Sequence, residues 1–285
     1  MTPHRLGLIL VSLAAVAWST TGLFTRALPH DAATLLVWRG TFGALGLLTF
    51  MAMAGGSHGL RGFARLGAPG LLYSVVSAAG MVCFITSLRH TSVAHNSVIY
   101  ASVPFMAAGL AWLVLRERPG RSALLASAVA LAGVGLMVGW GADGGWLGDG
   151  LALAMTMAMA LMLVIARRFP AIPTLPAACL SALISAAAAA PLSQGLAVPL
   201  ADIPLLIGFG LVNSALGLTL FLVGSRFLPA VQSALITALD APLAPLWVWL
   251  VFAETFSAAT AVGGGVVLAA VLAHIWHDSR QQALR

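Results

Sequence analysis

Lysine is absent from the 285 residues, and only 8 residues are acidic. Charged side chains make up 8% of the chain, against about 25% in an average soluble domain. So few charges cannot cover the surface of a water-soluble body of this size. Soluble enzymes, nucleic-acid-binding domains and disordered chains are excluded on that ground. Cys83 and Cys179 both lie inside apolar runs. Two cysteines are too few for a disulfide or zinc framework and read as small hydrophobes. There is no Gly-rich Walker loop with lysine, no His-Glu-x-x-His pair, no clear Gly-x-Ser-x-Gly turn and no row of evenly spaced arginines. Those gaps speak against an ATP-driven pump, a zinc hydrolase, a serine hydrolase and a voltage sensor. No cofactor and no metal are expected.

What is present is apolar. Hydrophobic residues make up 60% of the chain, and the mean hydropathy is +1.00. The apolar residues form long runs of Leu, Ala, Val, Gly and Met rather than the alternation of a membrane barrel, so the spans are expected to be helices. A helix needs about 20 apolar residues to cross the hydrocarbon core. Ten runs meet that: 6–27, 32–54, 66–88, 92–115, 122–140, 147–166, 174–193, 203–225, 229–252 and 257–276. Short loops carrying turn signals separate them, such as Pro29-His30-Asp31, Gly55-Gly56-Ser57 and Arg118-Pro119-Gly120. Ala15-Val16-Ala17 resembles a signal-peptide cleavage site, but the apolar stretch continues past it, so the first run is read as a retained span.

All 14 basic residues are arginines. With the N-terminus in the cytoplasm, the even-numbered loops and the two termini hold 11 of them. The odd-numbered loops hold only Arg26 and Arg89, and Arg39 lies inside the second span. This asymmetry places both termini in the cytoplasm under the positive-inside rule. Arginines scattered between apolar runs suit interfacial anchoring rather than a phosphate-tracking groove, so no nucleic-acid partner is expected.

The two halves resemble each other. Shifted by 137 residues, the segment at Arg89 meets the one at Arg226, Ile99 meets Ile236 and Glu117 meets Glu254. Pro104 and Pro242 fall one residue out of step. At a shift of 141, Leu6-Gly7, Arg26 and Pro29 meet Leu147-Gly148, Arg167 and Pro170. Five spans is an odd number, so a second copy must insert upside down. The expected fold class is an all-α membrane protein of ten transmembrane helices in two inverted five-helix repeats, residues 1–142 and 143–285. Inverted repeats suit alternating access, because two similar halves have two packings of nearly equal energy.

At these residues the chain resembles a ten-helix EamA-type member of the drug/metabolite transporter superfamily. The resemblance is carried by Ala17-Trp18-Ser19-Thr20 with Arg26, by Arg39, by the block from Arg89 to Glu117 and by its second copy from Arg226 to Glu254. Within that superfamily it looks nearest to the YddG-type amino acid exporters. The resemblance implies a central cavity lined by the first, third, fourth, sixth, eighth and ninth helices, and outward movement of metabolites. It also implies a multi-pass protein of a bacterial-type inner membrane, whose partners are a small-molecule substrate and the lipid bilayer.

Several polar residues within spans are candidates for substrate contact. Asp240 is the one acid deep in a span, where a charge costs about 2.5–3.5 kcal/mol on insertion scales. It is followed by Pro242 and Pro245, which free the carbonyls of Ala238 and Ala241. It reads either as an amine-recognition or proton site, or as a structural acid bonded to a neighbouring helix. The fourth span carries His95, Asn96, Ser97 and Tyr100 before Pro104. His95 can titrate near neutral pH, but it also fits an interfacial histidine touching water. Tyr100 sits deeper and suits a cavity wall. Trp18 and Thr20 interrupt the first span, and Trp18 either stacks on a ligand or packs. Asn213 reads as ligand contact or as glue between helices. Gln232 joins Asn96 and Asn213 as a donor for a carboxylate. Met155, Met159 and Met162 form a stripe suited to an adaptable binding wall or, more commonly, to core. Asp240 and His95 are the candidate carriers if protons are coupled. Arg39 reads as structural, snorkelling or paired near the outer interface. Small residues four apart, Gly135 with Gly139 and Gly265 with Ala269 and Ala273, suit close helix contacts between the halves or between two protomers. The chain is accordingly expected as a monomer or homodimer.

The expected activity is secondary transport: export of small metabolites, amino acids foremost, including aromatic and apolar ones. A multidrug or other metabolite carrier of the same fold is the nearest alternative. An intramembrane enzyme or a receptor is disfavoured, since no serine motif pairs with His95 and the halves are pseudo-symmetric.

Overall fold

The computed structural model describes residues 2–87, 90–91, 93–138, 145–253 and 257–283, and leaves aside the side chains at 54–60, 93–95, 138 and 278–283. Among the described residues there is no strand. Among the described residues nine helices are long and apolar enough to cross a bilayer: α1 (Pro3–Ala27), α2 (Ala32–Met53), α3 (Gly67–Ser87), α4 (Asn96–Leu115), α6 (Trp146–Arg168), α7 (Thr174–Leu192), α8 (Leu200–Gly224), α9 (Ala230–Phe252) and α10 (Ala258–His277). Ten runs were expected. The remaining one, α5 (Arg121–Met137), is apolar but shorter, about 25 Å at 1.5 Å per residue. Residues 139–144, where it was expected to end and where the boundary at 142/143 falls, lie outside the described residues. By composition and helix length the chain is a multi-pass membrane protein.

Local chemistry sets the helix ends. Thr2 caps α1, its hydroxyl accepting from the Arg5 amide at 3.4 Å, and Pro3 occupies the first turn, where its missing N–H costs nothing. Asp31 caps α2: its Oδ1 accepts from the amides of Ala33 and Thr34, both at 3.1 Å. Burial of the Asp31 carboxyl opposes ionisation. Hydrogen bonds from the Thr34 hydroxyl and from the amides of Thr34, Gln194 and Ala33 outweigh it, holding the group below the usual carboxylate range.

Four helices are irregular. In α1, Ser19, Thr20 and Thr21 donate to the carbonyls of Val16, Ala17 and Trp18, and the helix breaks at Thr20. Hydroxyls that compete for backbone carbonyls weaken a helix in this way. Helix α8 widens into a π-helix over Gly210–Gly217, a form frequent at functional sites. Helix α4 is broken between Val93–Tyr100, which begins just ahead of the span, and Val103–Leu110, which runs on into a π-helical turn at Ala111–Leu115, and α9 consists of Ala230–Thr237 and Asp240–Phe252. Pro104 and Pro242 lie in the first turn of their second pieces, the one place where a proline fits a helix. The first pieces of α4 and α9 thus end at Tyr100 and Thr237, 137 residues apart. At the far ends, Arg116 (φ 58°) and Ala253 (φ 54°) are the two positive-φ residues other than glycine among the described residues, again 137 apart.

The packing pairs α5 with α10, α3 with α6, α2 with α7 and α8, and α1 with α8 and α9. Helix α6 lies deepest, with Leu163, Ala160 and Ala166 fully buried, and Tyr73, Phe221 and Leu235 fill the same core. The outside is apolar, with Met53, Leu113, Leu125 and Leu250 among the exposed residues. A surface of that kind is stable against hydrocarbon rather than water. The small-residue contacts fall on a different face from the one expected. Gly133 and Gly263, not Gly135 and Gly265, join α5 to α10. A Cβ on Gly133 would lie 2.8 Å from the Gly263 carbonyl oxygen, whereas Gly135 and Gly265 have nothing within 4 Å.

Charged groups gather at the two ends of the bundle. At one end Arg167 Nε donates to Glu117 Oε1 at 3.1 Å and Arg167 Nη1 to the Arg226 carbonyl at 2.7 Å. Arg226 in turn donates to the Ile172 carbonyl. At the other end His30 meets Asp202 at 2.8 Å, and the Thr91 hydroxyl donates to Asp149 at 2.9 Å.

Candidate functional site

The polar residues expected to line a cavity divide into two groups: those consumed by helix packing and those that keep free surface. Asn213 belongs to the first. The wide turn of α8 aims it at the break in α1. Its Nδ2 donates to the Ala17 carbonyl at 3.0 Å and to the Thr20 hydroxyl at 3.2 Å, and its Oδ1 accepts from Thr21 at 2.8 Å. The Trp18 indole donates to the Asn213 backbone carbonyl at 3.1 Å and stacks at a tilt on Phe221, 5.0 Å between centroids. Gly217 makes room, since a Cβ there would lie 2.7 Å from the indole nitrogen. Trp18, Thr20 and Asn213 therefore do come together, but as a joint between α1 and α8. Trp247 extends it, donating from α9 to the Ser19 hydroxyl at 2.7 Å.

Asn96 is buried and donates to the Ser87 hydroxyl at 3.1 Å, tying α4 to the end of α3, while its Oδ1 has no partner. Gln232 is 3% exposed within α9. Met155 and Met159 are both 8% exposed. Met159 is part of the central core, and the Met155 backbone is packed near Gly80. The methionine stripe is thus packed core, not an open wall. The side chain of His95 lies outside the described residues.

Tyr100 and Asp240 belong to the second group. Each is half-buried. They sit at the breaks of α4 and α9. The Ala238 carbonyl freed by Pro242 is not vacant, because it accepts from the Ala241 amide at 3.3 Å.

Arg39 is likewise half-buried. It lies about 10 Å into α2 at 1.5 Å per residue from Ala32. Among the described residues it pairs with no acid. Its Nη2 donates to the Met81 sulfur at 3.3 Å, its Cζ lies 5.7 Å from the Phe209 ring centroid, and its Nε is buried without a partner. The signal for it in the sequence was the arginine inside a span; the missing partner was not legible there. Among the described residues no set of His, Cys, Asp and Glu is grouped to hold a metal ion. Two concavities of about 500 and 480 Å³ lie on the outside of the bundle, at Phe105–Trp112 and at Leu8–Leu13. They are open, apolar grooves remote from the residues above.

Residues 5–139 match the sequence profile of the EamA-like transporter family. Over 139 residues the chain is 32% identical to the uncharacterized transporter YwfM of Bacillus subtilis (strain 168). That alignment takes in 45% of this chain and 44% of that protein, so the chain matches less than half the length of this curated relative. A protein crystal structure superposes with a TM-score of 0.80 over 97% of this chain and 98% of that one. At 17% identity this is a likeness of fold alone.

Proposed function

We propose that the whole chain is an EamA-type secondary transporter of the YddG kind, exporting amino acids, aromatic and apolar ones included, by alternating access. The observation that carries the reading is the matched pair of broken helices. Helices α4 and α9 are interrupted 137 residues apart, and Tyr100 and Asp240 stand at the interruptions with accessible surface. Discontinuous helices facing each other at membrane depth are where carriers place substrate, because their irregular backbone is tolerated only beside a cavity or within protein. The match of residues 5–139 to a transporter family supports it. So does the reciprocal pairing of α5 with α10 and α2 with α7, which two inverted units, 1–142 and 143–285, produce.

In this reading Asp240 meets the substrate ammonium and is the group that carries a proton if one is coupled. Tyr100 faces the substrate side chain. Asn96, Asn213 and Gln232 position helices around the site, and Trp18 with Thr20 holds the α1–α8 joint. The protein resides in a bacterial-type inner membrane with both termini in the cytoplasm. The end rich in arginine, with Arg167 and Arg226, then faces the cytoplasm in accord with the positive-inside rule.

The test is release of radiolabelled amino acids from proteoliposomes. Protein-dependent efflux is expected, with Asp240→Asn losing pH-driven flux while sparing counterflow exchange. Absence of protein-dependent flux for all twenty amino acids would remove the amino-acid assignment. Termini labelled on opposite faces would remove the inverted repeat.

A further inference from the structure

The guanidinium of Arg39 lacks what a buried cation requires. Among the described residues no carboxylate or carbonyl accepts from it; its one hydrogen bond goes to the Met81 thioether, a weak acceptor. Among the described residues, the loop acids are engaged. Asp202 holds His30, and Asp149 holds Thr91. Asp31 is held by the Thr34 hydroxyl and by the amides of Ala33, Thr34 and Gln194. A structural arginine at this depth would be paired, or would snorkel to water. This one instead lies over the Phe209 ring, which is 2% exposed and stacked on Phe24 at 5.0 Å between centroids, and the residue as a whole is half-buried.

We propose that Arg39, with Met81 and Phe209, forms a subsite that binds the carboxylate of an organic anion or zwitterion. A carboxylate meeting the two terminal nitrogens makes the bidentate pair that this fork favours. It displaces the Met81 sulfur, and the methionine is flexible enough to yield. Half-buried Phe24, backed by Phe209, supplies an apolar surface for the rest of the ligand. This replaces the amides of Asn96 and Asn213 as the carboxylate donors, since those amides are occupied by Ser87 and by α1. That the ligand is also carried across the membrane rests on the transport reading above; the binding itself does not.

The test uses the purified full chain in detergent, with L-phenylalanine, L-leucine and benzoate as probes and L-phenylalaninamide as the control lacking a carboxylate. At least one carboxylate probe is expected to bind, and Arg39→Gln to weaken it at least tenfold. Arg39→Lys should restore part of the affinity, as a charge without the fork. The amide should bind at least tenfold more weakly than its acid and be indifferent to Arg39→Gln. Equal affinity of wild type and Arg39→Gln within twofold, or no binding of any carboxylate probe to wild type, overturns the proposal. A measurement without ligand stands beside it. An arginine kept for a ligand is a burden on the empty protein, so Arg39→Met should unfold at the wild-type temperature or above. A midpoint several degrees lower would mark a structural arginine and overturn the proposal. The two readings also separate. Flux unchanged in Arg39→Gln removes the subsite and leaves transport. Arg39-dependent binding without flux removes transport and leaves the subsite.

Discussion

Gly263 and Gly265 lie on the same helix, two residues apart, and are expected to respond to alanine in opposite directions. A Cβ on Gly263 would lie 2.7 Å from the backbone nitrogen of Met137 and 2.6 Å from the Met137 Cγ, and closer still to the Gly133 carbonyl. To bring the Met137 nitrogen out to ordinary contact at 3.4 Å, α10 must retreat from α5 by about 0.7 Å. A gap of about 0.5–1 Å forfeits a quarter to a half of the dispersion energy at each contact. That loss runs along an interface whose other residues cannot follow. Overpacking of this kind costs about 1–3 kcal/mol. A Cβ on Gly265 meets nothing within 4 Å, so Gly265→Ala gains helix propensity, up to about 1 kcal/mol, with no steric cost. Thermal unfolding of the purified variants in one detergent measures both. Gly263→Ala should unfold several degrees below wild type, and Gly265→Ala at or above it. Equal midpoints for the two variants, or a lower one for Gly265→Ala, would refute the assignment of the Gly133–Gly263 face to the α5–α10 contact.

The α1–α8 joint predicts that Asn213→Ala loses three side-chain hydrogen bonds. At about 0.6 kcal/mol each within a membrane, that is roughly 2 kcal/mol, read as a lower unfolding midpoint; an unchanged midpoint would contradict the joint. Ala253 holds a left-handed conformation at φ 54°. Ala253→Gly is therefore expected to stabilise by about 0.5–1 kcal/mol, and Ala253→Val to destabilise, by the same thermal assay. Asp31 has a depressed carboxyl pKa in the folded chain, so its cap contributes fully above the ordinary carboxylate range and is lost as pH falls through the folded value. Asp31→Ala should lower the midpoint at neutral pH by the equivalent of about 1 kcal/mol, and the difference from wild type should shrink on strong acidification. A difference that stays constant down to pH 2 would count against the charge-dependent cap.

Much of the architecture is written locally. Helix ends follow from run length, prolines and caps, which is why the runs 66–88 and 229–252 agree with Gly67–Ser87 and Ala230–Phe252. The breaks in α4 and α9 were legible from Pro104 and Pro242, because a missing N–H acts on its own helix. The gathering of Arg167 and Arg226 at one end was legible too, since span direction alternates along the chain. The site was less so. Asn213, Thr20 and Trp18 stood out as polar or aromatic groups inside spans, and the sequence left glue and ligand contact equally open for Asn213.

Tertiary structure alone decided between such readings, because the deciding partner is remote in sequence. Asn213 is spent on Ala17 and Thr20, nearly two hundred residues away. The methionine stripe is buried because other helices cover α6. Gly133 rather than Gly135 meets α10, a choice between faces about 200° apart on one helix. Arg39 proves to lack an acid only once every neighbour is in place. Chain composition fixes which solvent a helix prefers and where it ends; which face meets which neighbour is a property of the whole packing, and the surface left over for a ligand follows from that.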